Sequence, residues 1–182
     1  MKLPNIGQIN LTVVGLGYVG LPLAVEFAKK KKNLLNGEIL DNKVIGFDLN
    51  EKRLQEIKDN FDRNREISRE EFLKAENLTF SSNLKSLVNS DVFILTVPTP
   101  IDENLEPDLN SLKKATETVG NVLRDRVSDF DPIVIYESTV YPGATEEICV
   151  PILESLSGLK YNEGFYCGYS PERINPGDKK HN

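Results

Sequence analysis

Short apolar runs alternate with stretches of helical periodicity along the whole chain. Each run predicts a buried strand, and residues 91–97 form the strongest one, which Pro98 and Pro100 end. Residues 109–123 instead place apolar side chains every three or four positions, which is typical of an amphipathic helix. The pattern predicts strands at 9–14, 44–47, 78–81, 91–97, 132–136 and 164–169. It predicts helices at 19–30, 51–58, 68–75, 84–88, 109–123 and 145–156, the last bent or restarted at Pro151.

This alternation of strands and helices predicts an α/β fold with a Rossmann-like, doubly wound parallel sheet. The chain has 182 residues and shows no linker or internal repeat, so we expect a single domain, residues 1–182. Local signals support three of the helix starts. Asn50 and Asp108 are suited to cap helices, and Ser68 with Glu71 fits a capping box.

The first strand runs directly into the glycine pattern Gly15-x-Gly17-x-x-Gly20, which opens the first helix. In this context Gly15 permits a tight turn, Gly17 lets the backbone approach a diphosphate, and Gly20 lets the helix pack against the strand. The helix N-terminus offers its N–H groups to phosphates.

Asp48 ends the second strand, 28 residues after Gly20, whereas the common fingerprint has its acidic residue after about 20. We interpret residues 33–42 as a surface insertion that accounts for the longer spacing. Asp48 is expected to accept hydrogen bonds from ribose hydroxyls, and its charge favours NAD over NADP.

Composition narrows the range of partners. The 28 acidic and 22 basic residues give a formal net charge of −6, which argues against nonspecific nucleic-acid binding, and Lys29–Lys32 are expected at a solvated helix end. No signal peptide is evident and no apolar run approaches the ~20 residues that cross a bilayer, so a cytoplasmic chain without membrane contact is expected. Cys149 and Cys167 are expected to be inert buried thiols, and the one histidine, His181, is not expected to hold a metal.

Four segments follow strands and are therefore expected at the carboxyl edge of the sheet, where such folds bind ligands. They are the glycine loop and residues 96–100, 137–140 and 169–173. In these segments, and over nearly its whole length, the chain resembles the nucleotide-sugar 6-dehydrogenases, the UDP-glucose/GDP-mannose dehydrogenase family. The matching motifs are the run from Gly15 to Ala24, Gly46-Phe47-Asp48, Val97-Pro98-Thr99-Pro100, the run from Glu137 to Gly143, and Ser170-Pro171-Glu172.

This resemblance implies a four-electron oxidation of a sugar C6 alcohol to the uronate by two NAD+, for polysaccharide precursor synthesis. In the family, a cysteine captures the intermediate aldehyde as a thiohemiacetal, and the thioester formed by the second oxidation is cleaved by water. Residues 170–178 look most like the branch that acts on UDP-N-acetylhexosamines. Many UDP-glucose enzymes carry a second glutamate where this chain has Pro176, which argues against plain UDP-glucose as the substrate.

The resemblance also implies the site residues. Thr139 matches a threonine near the nicotinamide and the hydrolytic water, and Glu172 matches a carboxylate that assists proton transfer or positions water. The implied cofactor-binding residues are Gly15, Gly17, Tyr18, Val19, Gly20, Asp48, Arg53, Pro98, Thr99, Ser138 and Thr139.

Several of these residues also have a purely structural interpretation. The alternatives are a helix cap for Asp48, a solvated helix position for Arg53, a strand terminator for Thr99, a helix cap for Thr139, and a surface carboxylate for Glu172.

The family joins an NAD-binding domain to a central region and a C-terminal sugar-nucleotide domain. This sequence ends at Asn182, near the end of the first domain, and neither cysteine matches the family nucleophile. We therefore expect the chain to bind NAD without completing catalysis alone. The family dimerises largely through its central region, so we expect this chain to be monomeric. A stand-alone NAD-binding or regulatory module without turnover is the alternative.

Overall fold

The computed structural model describes residues 2–33, 35–100 and 107–171, so the predicted catalytic residue Glu172 lies outside the described residues. The strands are β1 (Asn10–Val14), β2 (Lys43–Phe47), β3 (Leu78–Ser81), β4 (Val92–Leu95), β5 (Ile133–Tyr136) and β6 (Tyr166–Tyr169). The α-helices are α1 (Gly20–Lys29), α2 (Glu51–Lys58), α3 (Arg69–Lys74), α4 (Asn110–Arg124) and α5 (Val150–Ser157).

The strands form one parallel sheet in the order β3-β2-β1-β4-β5-β6, which confirms the Rossmann-like prediction. Register is set around β1, where Val13 lies opposite Gly46 of β2 on one side and Ile94 of β4 on the other. Because the strand order reverses between β1 and β4, the loops that follow these two strands diverge and leave a crevice at the carboxyl edge.

Hydrophobic cores cover both faces of this sheet, since successive residues of a strand point to opposite sides. Val13 and Ile94 pack in one buried cluster with Leu21 of α1. Val14 packs in a second cluster with Leu153 of α5, which also contains the apolar stripe of α4. The strands read as nearly continuous apolar runs for this reason, as expected of a sheet buried on both faces.

Most element boundaries agree with the sequence prediction, and the differences have local causes. The helix expected at 84–88 is a 3₁₀ turn, Leu84–Leu87, with Asn83 as its cap. Asp108 does not cap α4 directly: Leu109 is the N-cap residue, and the Asp108 carboxylate accepts the N–H of Asn110 at 2.9 Å. The described residues of the insertion, 33 and 35–42, lie at the surface, and an antiparallel bridge joins Lys32 to Ile39.

The helix expected at 145–156 is built in two parts. Thr145–Cys149 forms a π-helical segment, and α5 begins at Val150. Pro151 explains the break, because it has no N–H to donate and its ring collides with the carbonyl four residues earlier in a regular α-helix. The wider π turn removes this conflict, and Pro151 then lies in the first turn of α5, where prolines are tolerated.

A buried ion pair lies at the amino end of the sheet. Arg126 lies 3.0 Å from Asp91, and both side chains are less than a tenth exposed. The Asp91 carboxylate also accepts the Asn10 N–H at 3.0 Å and the Ser128 hydroxyl at 2.6 Å. Arg126 in turn donates to the Ser90 carbonyl at 2.7 Å. This network ties the starts of β1 and β4 to the loop that precedes β5.

Candidate functional site

The glycine loop turns sharply from β1 into α1. Gly15 has a φ of 95°, in the left-handed region that favours glycine. A Cβ at Gly20 would lie 1.9 Å from the Gly15 carbonyl oxygen and 2.2 Å from the Thr96 hydroxyl, so the close contact between helix and loop requires glycine. At Gly17 a Cβ would meet no protein atom within 4 Å. Packing within the chain therefore does not require glycine at position 17, and the space beside the loop is open to a ligand.

A groove of about 590 Å³ runs along the carboxyl edge of the sheet beside this loop. It brings together most of the residues that the sequence assigned to the cofactor. The lining includes Gly15, Gly17, Tyr18, Val19, Asp48, Pro98, Thr99, Ser138 and Thr139. Gly20 and Arg53 do not line the groove and instead lie behind the loop.

The far end of the groove is held by two crossed hydrogen bonds. The Thr99 hydroxyl donates to the Thr139 carbonyl at 2.6 Å, and the buried Ser138 hydroxyl donates to the Val97 carbonyl at 3.0 Å. These bonds fix the loop after β4 against the loop after β5. Thr99 therefore does more than end a strand, and Thr139 lies exposed at the rim rather than at a helix start.

Asp48 joins the second strand to the glycine loop. One carboxylate oxygen accepts the Leu16 N–H at 2.8 Å, and the other accepts the Asn50 N–H at 2.8 Å. Asp48 is not the cap of α2, because Asn50 takes that place and accepts the Arg53 N–H. Each carboxylate oxygen has two lone pairs, so both retain capacity for a further donor from the groove that Asp48 lines.

Arg53 is buried, which contradicts the solvated helix position considered for it from sequence. Its side chain is 6% exposed. Nε donates to the Leu16 carbonyl at 2.8 Å, and one terminal nitrogen donates to Asp62 at 2.7 Å. The other terminal nitrogen has no hydrogen-bond partner among the described residues and lies 3.7 Å from a Glu56 carboxylate oxygen.

Asp62 is fully enclosed and holds its own loop together. Besides Arg53, its carboxylate accepts the N–H groups of Asn64, Glu66 and Ile67 at 3.2, 2.9 and 3.2 Å. Burial by itself raises the pKa of this carboxyl, but Arg53 and these N–H groups outweigh it and hold the pKa below its usual value. Asp62 is therefore ionised at neutral pH and pairs with the Arg53 guanidinium.

Sequence reasoning placed Thr96 at the carboxyl edge without giving it a role, and it missed the contribution of α4. Thr96 directly follows β4 and donates through its hydroxyl to the Gly15 carbonyl at 2.7 Å, which fastens the glycine loop to the neighbouring strand. One face of α4 lines the groove through Ser111, Lys114, Ala115 and Thr118. A polar residue at the end of a buried strand beside the glycine loop is a usable signal for Thr96. The apolar stripe of α4 was assigned to the core and gave no such signal.

The two cysteines are not placed for chemistry in this groove. Neither is among its lining residues. Cys149 is fully buried, and burial raises the pKa of its thiol. Burial likewise raises the pKa of Cys167 to about 12. A thiol that stays protonated at neutral pH is a poor nucleophile, although the expectation that both thiols are buried is met only by Cys149, since Cys167 is partly exposed.

Two other classes of site receive no support within the described residues. No group of three or more His, Cys, Asp or Glu side chains there is arranged to hold a metal ion. None of the helices in the described ranges has the length and apolar character needed to span a membrane.

Comparison with known proteins gives a consistent set of similarities. The family model described as UDP-glucose/GDP-mannose dehydrogenase family, NAD binding domain, matches residues 9–182. The chain is 54% identical over 174 residues to a UDP-N-acetyl-D-glucosamine 6-dehydrogenase of Pseudomonas aeruginosa, covering 96% of this chain and 37% of that protein. It is 51% identical over 177 residues to the Salmonella typhi protein of the same name, covering 97% of this chain and 38% of that protein.

Solved structures show the same relationship. The UDP-D-ManNAc dehydrogenase structure from Pyrococcus horikoshii superposes with a TM-score of 0.76 at 33% sequence identity, covering 93% of this chain and 37% of that one. The chain thus spans 37% to 38% of the length of these relatives.

Proposed function

Since the chain belongs to the UDP-glucose/GDP-mannose dehydrogenase family and carries its NAD-binding domain, we propose that the groove at the carboxyl edge holds NAD+ for a UDP-N-acetylhexosamine 6-dehydrogenase. The observation that carries this proposal is the convergence of the glycine loop, Asp48 and the Thr99–Thr139 contact along one groove. NAD+, when bound, accepts a hydride from the sugar. The rest of the proposal concerns what this chain's residues do.

The glycine loop fits the diphosphate. Gly17 leaves space beside the loop, since a methyl group at its α-carbon would meet no protein atom within 4 Å. The N-terminus of α1 follows directly and carries a partial positive charge that attracts phosphate. Lys114 of α4 lines the same groove and adds a positive charge there.

Asp48 fits the adenosine ribose. Its carboxylate keeps lone pairs for ribose hydroxyls while it holds the Leu16 N–H. A phosphate on the 2′ hydroxyl would bring a second negative charge against this carboxylate, so we expect NAD+ to bind far better than NADP+.

The nicotinamide end is assigned to Pro98, Thr99, Ser138 and Thr139. The Thr99–Thr139 and Ser138–Val97 hydrogen bonds hold the two loops in one arrangement, which supports a role in orienting the reacting ring. Glu172 follows directly after Pro171, and the Ser170 N–H is bonded to the Tyr136 carbonyl at the end of β5. We assign Glu172 proton transfer or the positioning of water, as the family resemblance implies.

The activities for which these relatives are named support a UDP-N-acetylglucosamine-type substrate rather than UDP-glucose. Because neither Cys149 nor Cys167 lines the groove, we propose that this chain binds the cofactor without oxidising a sugar by itself. We also propose that the chain is cytoplasmic and that it is monomeric in isolation. Light scattering measures the molar mass in solution and so tests the monomeric state.

Calorimetric titration of the chain with NAD+ and NADP+ tests the assignment. We expect saturable NAD+ binding, much weaker NADP+ binding, and relaxed discrimination in Asp48→Asn. Equal affinity of the unmodified chain for both cofactors would refute the role given to Asp48. Appearance of NADH on addition of a UDP-sugar would refute the proposal that the chain lacks turnover.

A further inference from the structure

We propose that Arg53, held in place by Asp62, is a positioning residue that orients the phosphate-binding loop through the carbonyl of Leu16. This inference rests on the proposed function, because it assigns the diphosphate to the glycine loop. It differs from a direct cofactor contact, since the Arg53 side chain is buried behind the loop and does not line the groove.

The first step of the argument is that both peptide groups around Leu16 are fixed by side chains. Asp48 accepts the Leu16 N–H at 2.8 Å, and the Thr96 hydroxyl donates to the Gly15 carbonyl of the same peptide at 2.7 Å. Arg53 Nε donates to the carbonyl of the next peptide, that of Leu16, at 2.8 Å.

The second step follows from peptide geometry. In a trans peptide the C=O and N–H bonds point in opposite directions, and the Leu16–Gly17 peptide is trans. The carbonyl of Leu16 is drawn toward the buried Arg53, so the N–H of Gly17 points away from Arg53. Within the described part of the chain this N–H has no hydrogen-bond partner, and Gly17 lines the groove. Arg53 thereby presents a backbone donor to an anion in the groove.

The third step concerns what keeps Arg53 there. The guanidinium has lost most of its hydration, and Asp62 compensates at 2.7 Å with a side chain that is itself fully buried. Asp62 is anchored by three N–H groups of its own loop. Both the donor to Leu16 and its counter-ion are thus fixed before any ligand arrives, which is the condition for a preorganised binding loop.

The test compares three ligands that differ in what they offer the loop. NAD+ and ADP carry the diphosphate, whereas adenosine carries the ribose and base alone. Displacement of bound NADH, followed by its fluorescence, gives the affinity of each ligand for the unmodified chain and for Arg53→Met, Arg53→Lys and Asp62→Asn. Arg126→Met is the matched control, because Arg126 belongs to an equally buried arginine–aspartate pair at the other end of the sheet.

We expect Arg53→Met to weaken NAD+ and ADP by about tenfold, as for loss of one well-aligned hydrogen bond to a charged group, and adenosine by less than about twofold. Asp62→Asn is expected to act in the same direction by about threefold, and Arg53→Lys to recover part of the loss. Arg126→Met is expected to lower the melting temperature while leaving NAD+ affinity within about twofold. A structural role alone predicts no split between ADP and adenosine.

Two results would overturn the inference. Equal losses for ADP and adenosine would mean that Arg53 either supports the fold as a whole or contacts the adenosine, and does not act through the phosphate-binding loop. Unchanged NAD+ affinity in Arg53→Met would mean that the loop needs no such support. If Arg53→Met does not fold, Arg53→Lys and Asp62→Asn provide the same comparison. Failure of the unmodified chain to bind NAD+ would instead overturn the proposed function, so the two failures are distinguishable.

Discussion

Two buried arginine–aspartate pairs occupy opposite ends of the sheet, and they are chemically almost the same. Arg53 and Asp62 lie 2.7 Å apart near the carboxyl end, and Arg126 and Asp91 lie 3.0 Å apart at the amino end. In both pairs the arginine is 6% exposed and also donates to a backbone carbonyl. The two pairs differ in the residue whose backbone carbonyl accepts the hydrogen bond.

At the amino end the carbonyl is that of Ser90, which lies just before β4 and is not among the residues that line the groove. At the carboxyl end it is that of Leu16, in the loop that faces the groove. The same interaction is therefore expected to support folding at one end and ligand geometry at the other. We infer from this comparison that the role of a buried ion pair depends on the backbone segment that its arginine holds.

The largest effect is expected from a variant that breaks the amino-end pair of Arg126 and Asp91. Asp91→Ala leaves the Arg126 guanidinium buried without its counter-ion and removes the acceptor for Asn10 and Ser128. We expect a loss of about 3–5 kcal/mol in the free energy of unfolding, measured with urea. NAD+ affinity of the molecules that remain folded is expected to be unchanged.

The exposed pair Arg124–Asp125 supplies the control for this variant. Its side chains are more than half exposed, so Asp125→Ala should produce no measurable change in stability. A loss of NAD+ affinity in folded Asp91→Ala would contradict the separation of the two ends.

The second-largest effect is expected from Gly17→Ala, which should weaken NAD+ binding without lowering the stability of the fold. Gly17→Ala adds a methyl group that meets no protein atom within 4 Å, but this methyl projects into the space assigned to the diphosphate. We expect NAD+ affinity to fall at least about tenfold, equivalent to roughly 1.4 kcal/mol, with little change in melting temperature.

Gly7→Ala is a suitable partner for this experiment, because its added methyl would make only an ordinary contact, 3.5 Å from the Asn5 side chain. It should alter neither binding nor stability appreciably. Undiminished NAD+ binding by Gly17→Ala would place the diphosphate elsewhere.

The same comparison explains how far the sequence could predict the molecule. Strands buried on both faces and a glycine pattern between a strand and a helix are local signals, so the sheet and the loop were predicted with small boundary errors. The support of the loop is not local. Arg53 reaches Asp62 across a connection that contains left-handed Asn60, and it reaches Leu16 across 37 positions of sequence. The spacing of apolar residues does not predict such contacts. From sequence alone, a buried arginine cannot be distinguished from a solvent-exposed arginine on a helix.

The π-helical segment was also beyond local prediction. The apolar spacing of 145–156 fits a regular helix, and only Pro151 indicates that the hydrogen-bond ladder must change. Whether a proline bends, restarts or widens the preceding turn depends on packing against α4 and the sheet.

Acid titration sharpens the comparison through the carboxyl-end pair. The pKa of Asp62 is raised by burial but lowered more by Arg53 and backbone N–H groups, so it lies below its ordinary value of 3.8 in the folded chain. A carboxyl with a lowered folded pKa contributes stability that is complete well above the unfolded pKa and is lost as the pH falls through the folded value. We therefore expect the urea unfolding free energy to decline below about pH 5, and Asp62→Asn to show a shallower decline. Parallel acid limbs in the two proteins would show that Asp62 is not the group that titrates.

The smallest expected effect compares one hydroxyl at each end. Thr99 donates to the Thr139 carbonyl at 2.6 Å beside the groove, and the buried Thr12 and Ser90 hydroxyls lie 2.6 Å apart at the amino end. We expect Thr99→Val to weaken NAD+ about twofold to fivefold, the range of a single neutral hydrogen bond, and Thr99→Ser to restore binding. Thr12→Val should instead lower stability by about 1 kcal/mol at unchanged NAD+ affinity, because it leaves the Ser90 hydroxyl buried without this partner. Calorimetry with NAD+ and thermal unfolding of the three variants measure both quantities. A stability loss in Thr99→Val as large as that in Thr12→Val, with binding intact, would place the Thr99–Thr139 contact with the scaffold rather than with the ligand.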